Sequence, residues 1–202
     1  MSPRAYSMER REAVAHETRV RILEAARQIL AEEPDGALSM DAIARRADVS
    51  RLTIYYQFNS RPGLLEALYD YLASRGDIRR VAEVFHEPDP QLALEKVVSV
   101  FVGFWSSDRV VIRRLRAMAA LDPEIAQGIQ SRDARRRHIA GEILKRIKAG
   151  EKNKYIDEHL SVTADVIAML TSFATYDALA AAGHSGKEIV AIINRLVRCA
   201  VS

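Results

Sequence analysis

The sequence predicts an all-α protein. Apolar residues recur at helical spacing in nearly every segment, and no stretch shows the alternation that is typical of a β-strand. Proline and glycine interrupt this pattern, for example at Pro88 to Pro90 and at Gly183 to Gly186, and so divide the chain into separate helices. With 202 residues, 49% of them hydrophobic and 28% charged, the chain can form one large core or two small ones.

Two short amphipathic helices joined by a tight turn are predicted within residues 39–58. Ser39 is the predicted N-cap of the first helix and Ser50 that of the second. The turn falls at Asp48-Val49, where one residue must adopt a positive φ, which aspartate tolerates better than most residues. The residues predicted to be buried at helical spacing are Met40, Ile43, Ala44, Ala47, Ile54 and Phe58. This layout is typical of a DNA-reading helix-turn-helix.

The same segment closely resembles the DNA-binding segment of the tetracycline-repressor (TetR) family of transcriptional regulators. The matching positions are Ser39-Met40, Ile43-Ala44, Ala47, Val49-Ser50, Ile54-Tyr55, Phe58, Arg61 and Leu64. Upstream, residues 18–26 resemble the first helix of the family, and Pro34-Asp35-Gly36 provides the expected turn. The resemblance covers roughly residues 16–74. It departs from the family at Asp48, Gln57 and Arg61, where glycine, histidine and lysine are usual.

The resemblance implies two kinds of DNA contact. Ser39, Tyr55 and Arg61 are expected to bond to phosphates, and Arg10 and Arg11 are further candidates for that role. The candidates for base edges in the major groove are Arg51, Leu52, Thr53 and Tyr56. Two alternatives stay open, because Tyr55 also suits a half-buried core aromatic and Thr53 also suits a contact that only starts its helix.

We expect a helix-turn-helix domain at residues 1–75 and a second helical domain at residues 76–202. The second domain ends in two strongly apolar helices, the first predicted from Leu160 to Ala182. Such a surplus of apolar surface often marks an interface, and TetR-family members dimerise through their last two helices. The chain is therefore expected to form a homodimer through residues 160–201. Burial of both helices within one subunit is the alternative.

The family resemblance also implies a small-molecule site in the second domain. A mostly apolar pocket with a few polar anchors would suit such a ligand. The candidate pocket residues are Phe101, Phe104, Trp105, Met118, His138, Met169, Phe173, Tyr176 and Asp177. The same residues also suit an ordinary hydrophobic core, because apolar stripes at helical spacing usually serve packing.

Motifs of catalysis and metal binding are missing from the sequence. The five histidines are far apart, and the single cysteine has no partner at zinc-ligand spacing. The arginine-rich runs at 113–116 and 135–137 are predicted to be solvated helix faces. No catalytic residue, metal or cofactor is therefore expected. No apolar run reaches the 18 to 20 residues, roughly, that a membrane helix requires, and the chain is expected to be cytoplasmic.

Together these features predict a dimeric regulator that binds palindromic double-stranded DNA and is released by a small-molecule ligand. Lys and Arg number 30 against 27 Asp and Glu, so contacts with DNA must come from local placement of charge. One rival hypothesis is a helical adaptor that has lost DNA recognition through changes such as Asp48. A second rival is an all-helical enzyme with a base such as His138.

Overall fold

The computed structural model describes residues 3–32, 38–150 and 154–201. Every regular element in these three ranges is helical, as the sequence predicts. The predicted turn at 34–36 lies outside them. No helix within the described ranges is both long and apolar enough to cross a membrane.

Eleven α-helices and one 3-10 turn follow one another through the described residues. The helices are α1 (Pro3–Glu32), α2 (Met40–Ala47), α3 (Arg51–Phe58), α4 (Arg61–Arg75), α5 (Val81–Val84), α6 (Pro90–Ser107), α7 (Arg109–Met118), α8 (Pro123–Gly150), α9 (Lys154–Leu170), α10 (Phe173–Ala181) and α11 (Gly186–Val201). The 3-10 turn Ile78–Arg80 precedes α5.

The chain divides into two compact units, and each unit consists of two separate segments of the sequence. The first consists of Met1–Tyr71 together with Arg113–Gly128, and the second of Leu72–Ile112 together with Ile129–Ser202. The sequence places a boundary near residue 75 but gives no indication that residues 113–128 pack with the first unit.

In the first unit, α1 supplies a continuous apolar row. Its buried members at helical spacing are Ile22, Leu23, Ala26, Ile29 and Leu30. The C-terminal end of α1 is capped from a distant part of the chain, because Arg114 donates to the carbonyl oxygen of Leu30 at 2.5 Å. Glu24 accepts hydrogen bonds from Arg27 and from the hydroxyl of Tyr71, which ties α1 to α4.

The beginning of α8 packs against α4 within the same unit. The Tyr69 hydroxyl donates to the buried carbonyl oxygen of Ile125 at 3.0 Å. Gly128 lies directly under the ring of Tyr69, and a Cβ at this position would lie 2.4 Å from the ring. The lack of a side chain at Gly128 therefore permits the close approach of the two helices.

The second unit is built around α6. Its buried residues on several sides are Ala93, Leu94, Val97, Val98, Phe101, Val102 and Trp105. They belong to one core with buried residues of α8, α9, α10 and α11. The nearly all-round apolar surface of α6 explains its central position in this unit.

The predicted single helix from Leu160 to Ala182 is wrong, since α9 ends at Leu170 and α10 begins at Phe173. Thr171 directs its hydroxyl back to the carbonyl oxygen of Ile167, and Ser172 caps α10 by accepting from the backbone N–H of Thr175 at 3.2 Å. Serine and threonine side chains offer the backbone such alternatives to a continuous helix.

The prediction that the arginine run 135–137 is a solvated face is wrong for Arg136, which is only 7% exposed. Its guanidinium donates to Asp133 at 2.6 Å and to the Ala168 carbonyl oxygen at 3.3 Å. Position 136 lies seven residues after Ile129 and seven before Ile143, on the core-facing stripe of α8. A strict reading of the helical period would have indicated its burial.

Candidate nucleic-acid interface

The first helix of the predicted motif, α2, forms as the sequence predicts. Ser39 is its N-cap, with its hydroxyl oxygen accepting from the backbone N–H of Ala42 at 3.1 Å. Asp48 ends the helix in the left-handed conformation, with φ 50° and ψ 55°. The backbone N–H of Val49 returns to the carbonyl oxygen of Ala44 at 3.1 Å. Aspartate thus makes the turn in which the family usually has glycine.

The next helix, α3, buries one side and exposes the other. Ser50 caps it by accepting from the N–H of Thr53 at 3.0 Å, and Ile54 and Phe58 face the core. Tyr56 is 80% exposed and Leu52 is 62% exposed. Large apolar and aromatic side chains at such exposure have no packing role in this unit. The face is therefore available for an external partner.

Arg51 is positioned at the start of this exposed face. Its guanidinium lies 3.4 Å from a carboxylate oxygen of Asp41 and 5.8 Å from the ring centre of Tyr55. A hydrogen bond to Tyr55, together with the charge of Asp41, raises the pKa of Arg51 further above its ordinary value. The pair with Asp41 is solvent exposed, so it is weak and exchangeable.

The C-terminal end of α3 is held by a residue that the sequence analysis did not single out. Arg19 of α1 donates to the carbonyl oxygen of Gln57 at 2.6 Å and lies 4.3 Å above the ring of Phe58. A cation at this position satisfies a terminal carbonyl and fixes the orientation of the helix. The two residues are 38 positions apart, so no local signal could have indicated the contact.

Arg61, the expected phosphate contact at the start of α4, already has partners within the first unit. Its guanidinium forms ion pairs with Asp122 at 2.5 Å and with Glu124. The side chain of Arg61 is 31% exposed, and this environment raises its pKa, mainly through the hydrogen bond to Asp122. The predicted contact with phosphate therefore stays a prediction, and two carboxylates compete with it.

The remaining DNA candidates lie as follows. Tyr55 is exposed, and Thr53 is partly exposed while its hydroxyl lies 2.8 Å from that of Ser50. Thr53 therefore has the helix-start contact that the sequence analysis gave as an alternative, and its part in a base contact stays a prediction. The side chains of Arg10 and Arg11 lie outside those that the structure describes.

Comparison with known families gives the motif a name. Residues 22–68, from the middle of α1 into α4, match the model of the bacterial regulatory proteins of the tetR family. The matched segment is a tetR-family domain. The resemblance inferred from the sequence is thereby confirmed, and the match covers the caps, the left-handed turn and the exposed face of α3.

The curated relatives that this chain matches are transcriptional regulators. The HTH-type transcriptional regulator EthR of Mycobacterium tuberculosis is 29% identical over 108 residues, which are 52% of this chain and 50% of EthR. UidR of Escherichia coli K12 is 28% identical over 127 residues, 62% of this chain and 63% of UidR. The match spans between half and two thirds of these two proteins.

Solved structures resemble the chain over nearly its whole length. A TetR-family regulator from a Rhodococcus species superimposes with a TM-score of 0.69 at 18% identity, covering 92% of this chain and all of that one. At this identity the likeness shows the fold alone, and it extends the all-helical TetR-like fold through the second unit.

The candidate ligand residues fall into two groups. Five form a chain of neighbouring rings: Phe101, Phe104, Trp105, Phe173 and Tyr176. Trp105 is central, with ring centres 4.6 Å from Phe104 and 5.6 Å from Phe173. Burial raises the pKa of Tyr176. We call these five residues the aromatic cluster.

The other four candidates lie apart from those rings or are engaged elsewhere. His138 and Met169 are surface residues, with the His138 side chain 74% exposed and Met169 60% exposed. Met118 belongs to the first compact unit. Asp177 lies beside Tyr176 in sequence but is ion-paired with Arg109 at 2.6 Å. Within the described residues, no group of three or more His, Cys, Asp or Glu side chains is placed to hold a metal ion.

Proposed function

We propose that this chain is a DNA-binding transcriptional regulator whose helix α3 enters the major groove. The observation that carries the proposal is the polar and aromatic face of α3, which is exposed while both ends of the helix are fixed by Ser50 and Arg19. An oriented helix with a free side meets the requirements of direct readout, since base edges are read by a few side chains held in register.

The test is selection of bound DNA fragments by the purified protein, followed by titration of one selected site at several salt concentrations. Neutralised phosphates release counterions, so the affinity should fall linearly with the logarithm of salt concentration. Arg51→Ala should weaken binding by about 1–3 kcal/mol per bound subunit and relax the preference at one base pair. Arg79→Ala removes the same charge from an exposed site in the second unit and serves as the control.

The adaptor hypothesis predicts the opposite result. A protein that has lost DNA recognition through Asp48 would select no sequence, and its weak binding would not change with Arg51→Ala. Asp48→Gly would restore binding in that case. The left-handed conformation of Asp48 favours the DNA-binding proposal, because the turn keeps its geometry without glycine.

We also propose that two copies of the chain pair through α9 and α11. The support is apolar exposure on these helices: Val162 is 57% exposed and Met169 60%, seven residues apart and so on one face of α9, and Leu196 is exposed on α11. A two-fold dimer would place two copies of α3 on the half-sites of a palindrome. Met169→Glu should give monomers in sedimentation and weaken DNA binding, whereas Val110→Glu, in α7, should do neither.

A small-molecule ligand that binds the second unit completes the proposal. A regulator of similar fold from Saccharomonospora viridis was solved in complex with choline. It superimposes with a TM-score of 0.65 at 20% identity, covering 91% of this chain and 96% of that one. For this chain we propose the aromatic cluster as the ligand site. Binding there would change DNA affinity by the same factor as DNA changes ligand affinity. The proposed output is repression relieved by the ligand.

The sequence offers a direct probe for this site, because Trp105 is the only tryptophan. Compounds should be screened by the fluorescence of Trp105 and, independently, by release of the protein from its selected DNA. A compound that acts at the cluster changes both signals. A compound that releases the protein from DNA without altering the fluorescence binds elsewhere.

A further inference from the structure

We propose that Asp122 and Glu124 bind the guanidinium of Arg61 in the place that a DNA phosphate would take. Arg61, at the start of α4, then contacts phosphate only when these carboxylates are displaced. This autoinhibitory contact rests on the proposed DNA-binding function. It concerns residues of the first compact unit alone, since Arg61, Asp122 and Glu124 all belong to it.

The geometry of the contact is that of phosphate recognition. One terminal nitrogen of Arg61 lies 2.5 Å from one oxygen of Asp122, and the other lies 3.4 Å from the second oxygen. The second nitrogen also donates to Glu124. Arginine binds carboxylates and phosphates through the same planar fork, so one anion excludes the other from the same nitrogens.

The carboxylate of Asp122 is held in place independently of Arg61. An oxygen of Asp122 accepts from the backbone N–H groups of Glu124 at 3.1 Å and Ile125 at 3.3 Å, which caps α8. The hydrogen bond from Tyr69 to the Ile125 carbonyl oxygen and the close approach of Gly128 fix the same turn of α8 against α4. The Asp122 carboxylate therefore stays beside Arg61 without needing the charge of Arg61 to hold it.

The charges of this cluster oppose binding of a further anion. One guanidinium faces two carboxylates, which leaves a net charge of about −1 where the family resemblance expects a free cation. The hydrogen bond from Arg61 lowers the pKa of Asp122, so this carboxylate remains ionised at neutral pH. A DNA phosphate must therefore displace a paired carboxylate before it can bind Arg61.

The experiment compares four full-length proteins: the wild type, Arg61→Ala, the double variant Asp122→Asn with Glu124→Gln, and the triple variant that combines all three changes. Asparagine is itself a good N-cap, so the double variant removes charge while keeping the cap of α8. Thermal unfolding by circular dichroism establishes that each variant is folded. DNA affinity is measured from 50 to 300 mM salt, and elution from heparin gives a second readout that needs no operator.

The double variant should bind DNA about tenfold more tightly than the wild type at low salt, the effect of one hydrogen-bonded charge contact. Its salt dependence should steepen by about 0.9 for each Arg61 that gains a phosphate. Arg61→Ala alone should weaken binding by much less than tenfold, because Arg61 of the wild type has no phosphate contact to lose. The triple variant should lose the gain of the double variant, and heparin elution should follow the same order.

Three outcomes would overturn the proposal. If the triple variant keeps the gain, removal of negative charge acts through the general field and not through Arg61. If the double variant binds no better than the wild type, the two carboxylates do not block a phosphate contact. If Arg61→Ala weakens the wild type tenfold, Arg61 already reaches phosphate. Failure of the wild type to bind any DNA would instead contradict the proposed function, and the heparin series would still test the contact itself.

Discussion

The helix-turn-helix and the aromatic cluster both depend on buried apolar side chains, but the contacts that fix them differ in range. In the helix-turn-helix, Ser39 bonds to Ala42 and Ser50 to Thr53, three residues away in each case. In the cluster, the indole N–H of Trp105 donates to the carbonyl oxygen of Thr171 at 2.9 Å, across 66 positions. The first region is specified by neighbours in sequence, and the second by neighbours in space.

This difference predicts where substitutions will matter most. A cap or turn residue affects one or two hydrogen bonds at the surface, whereas a residue of the aromatic cluster fills space that several helices share. The three predictions below test whether long-range contacts outweigh local ones in this protein.

The largest effect is expected from Trp105→Ala. Removing this buried side chain, 6% exposed, leaves a cavity among Phe101, Phe104 and Phe173 and should lower the free energy of unfolding by about 3–5 kcal/mol. The free energy of unfolding is measured by urea titration followed by circular dichroism, because the variant has no tryptophan fluorescence to follow. Trp105→Phe, which keeps a ring but loses the hydrogen bond to Thr171, should lose less. A loss of unfolding free energy below about 1 kcal/mol in the alanine variant would contradict the assignment of the cluster to the core.

A medium effect that depends on pH is expected at Glu24. Its hydrogen bonds with Arg27, and also with Tyr71 and Gln28, lower the pKa of Glu24 from 4.5 to about 2. Because the pKa is depressed in the folded protein, the stabilisation is complete above about pH 4.5 and is lost as the pH falls towards 2.

The measurement is the free energy of unfolding of the wild type and of Glu24→Gln across this pH range. At neutral pH the variant should be less stable by about 2 kcal/mol, a figure reduced for the partial exposure of the carboxylate. The two proteins should converge as the pH approaches 2. A difference that stays constant with pH would mean that the charge of Glu24 contributes nothing.

The smallest effect is expected from Ser50→Ala, which removes the N-cap of α3. The loss should be about 1 kcal/mol, the ordinary contribution of a capping hydroxyl. Ser50→Asp preserves a capping oxygen and serves as the control. If Ser50→Ala destabilises the protein as much as Trp105→Ala, the contrast between local and long-range contacts does not hold. DNA binding by Ser50→Ala tests the same point, because a frayed α3 presents its face less often.

Much of the fold could be predicted because its signals are local. The caps at Ser39 and Ser50, the left-handed turn at Asp48 and the buried stripe of α2 all follow from residues within four positions of one another. The periodicity that predicts α6 as a central helix is likewise visible in one segment. The break at Thr171 was missed because its hydrogen-bonding side chain lies in an otherwise continuous apolar pattern.

The electrostatic surroundings of the candidate sites could not be predicted. Charge on a side chain is apparent from the sequence, but its partner is not. Arg19 and Gln57 are 38 positions apart, and Arg109 and Asp177 are 68. The apparently simple inference that a cation at the start of α4 is free for phosphate therefore depended on information that the sequence does not contain.

Hydrophobic period, capping and turn chemistry act over a few residues, so they predict the helical class, the helix-turn-helix and its exposed face. Two features follow only from folding: residues 113–128 join the first compact unit, and Arg61 is paired with Asp122 and Glu124. The physical reason is that burial and ion pairing depend on which distant segments meet when the chain folds, and many sequences with the same local pattern would bring different charges together.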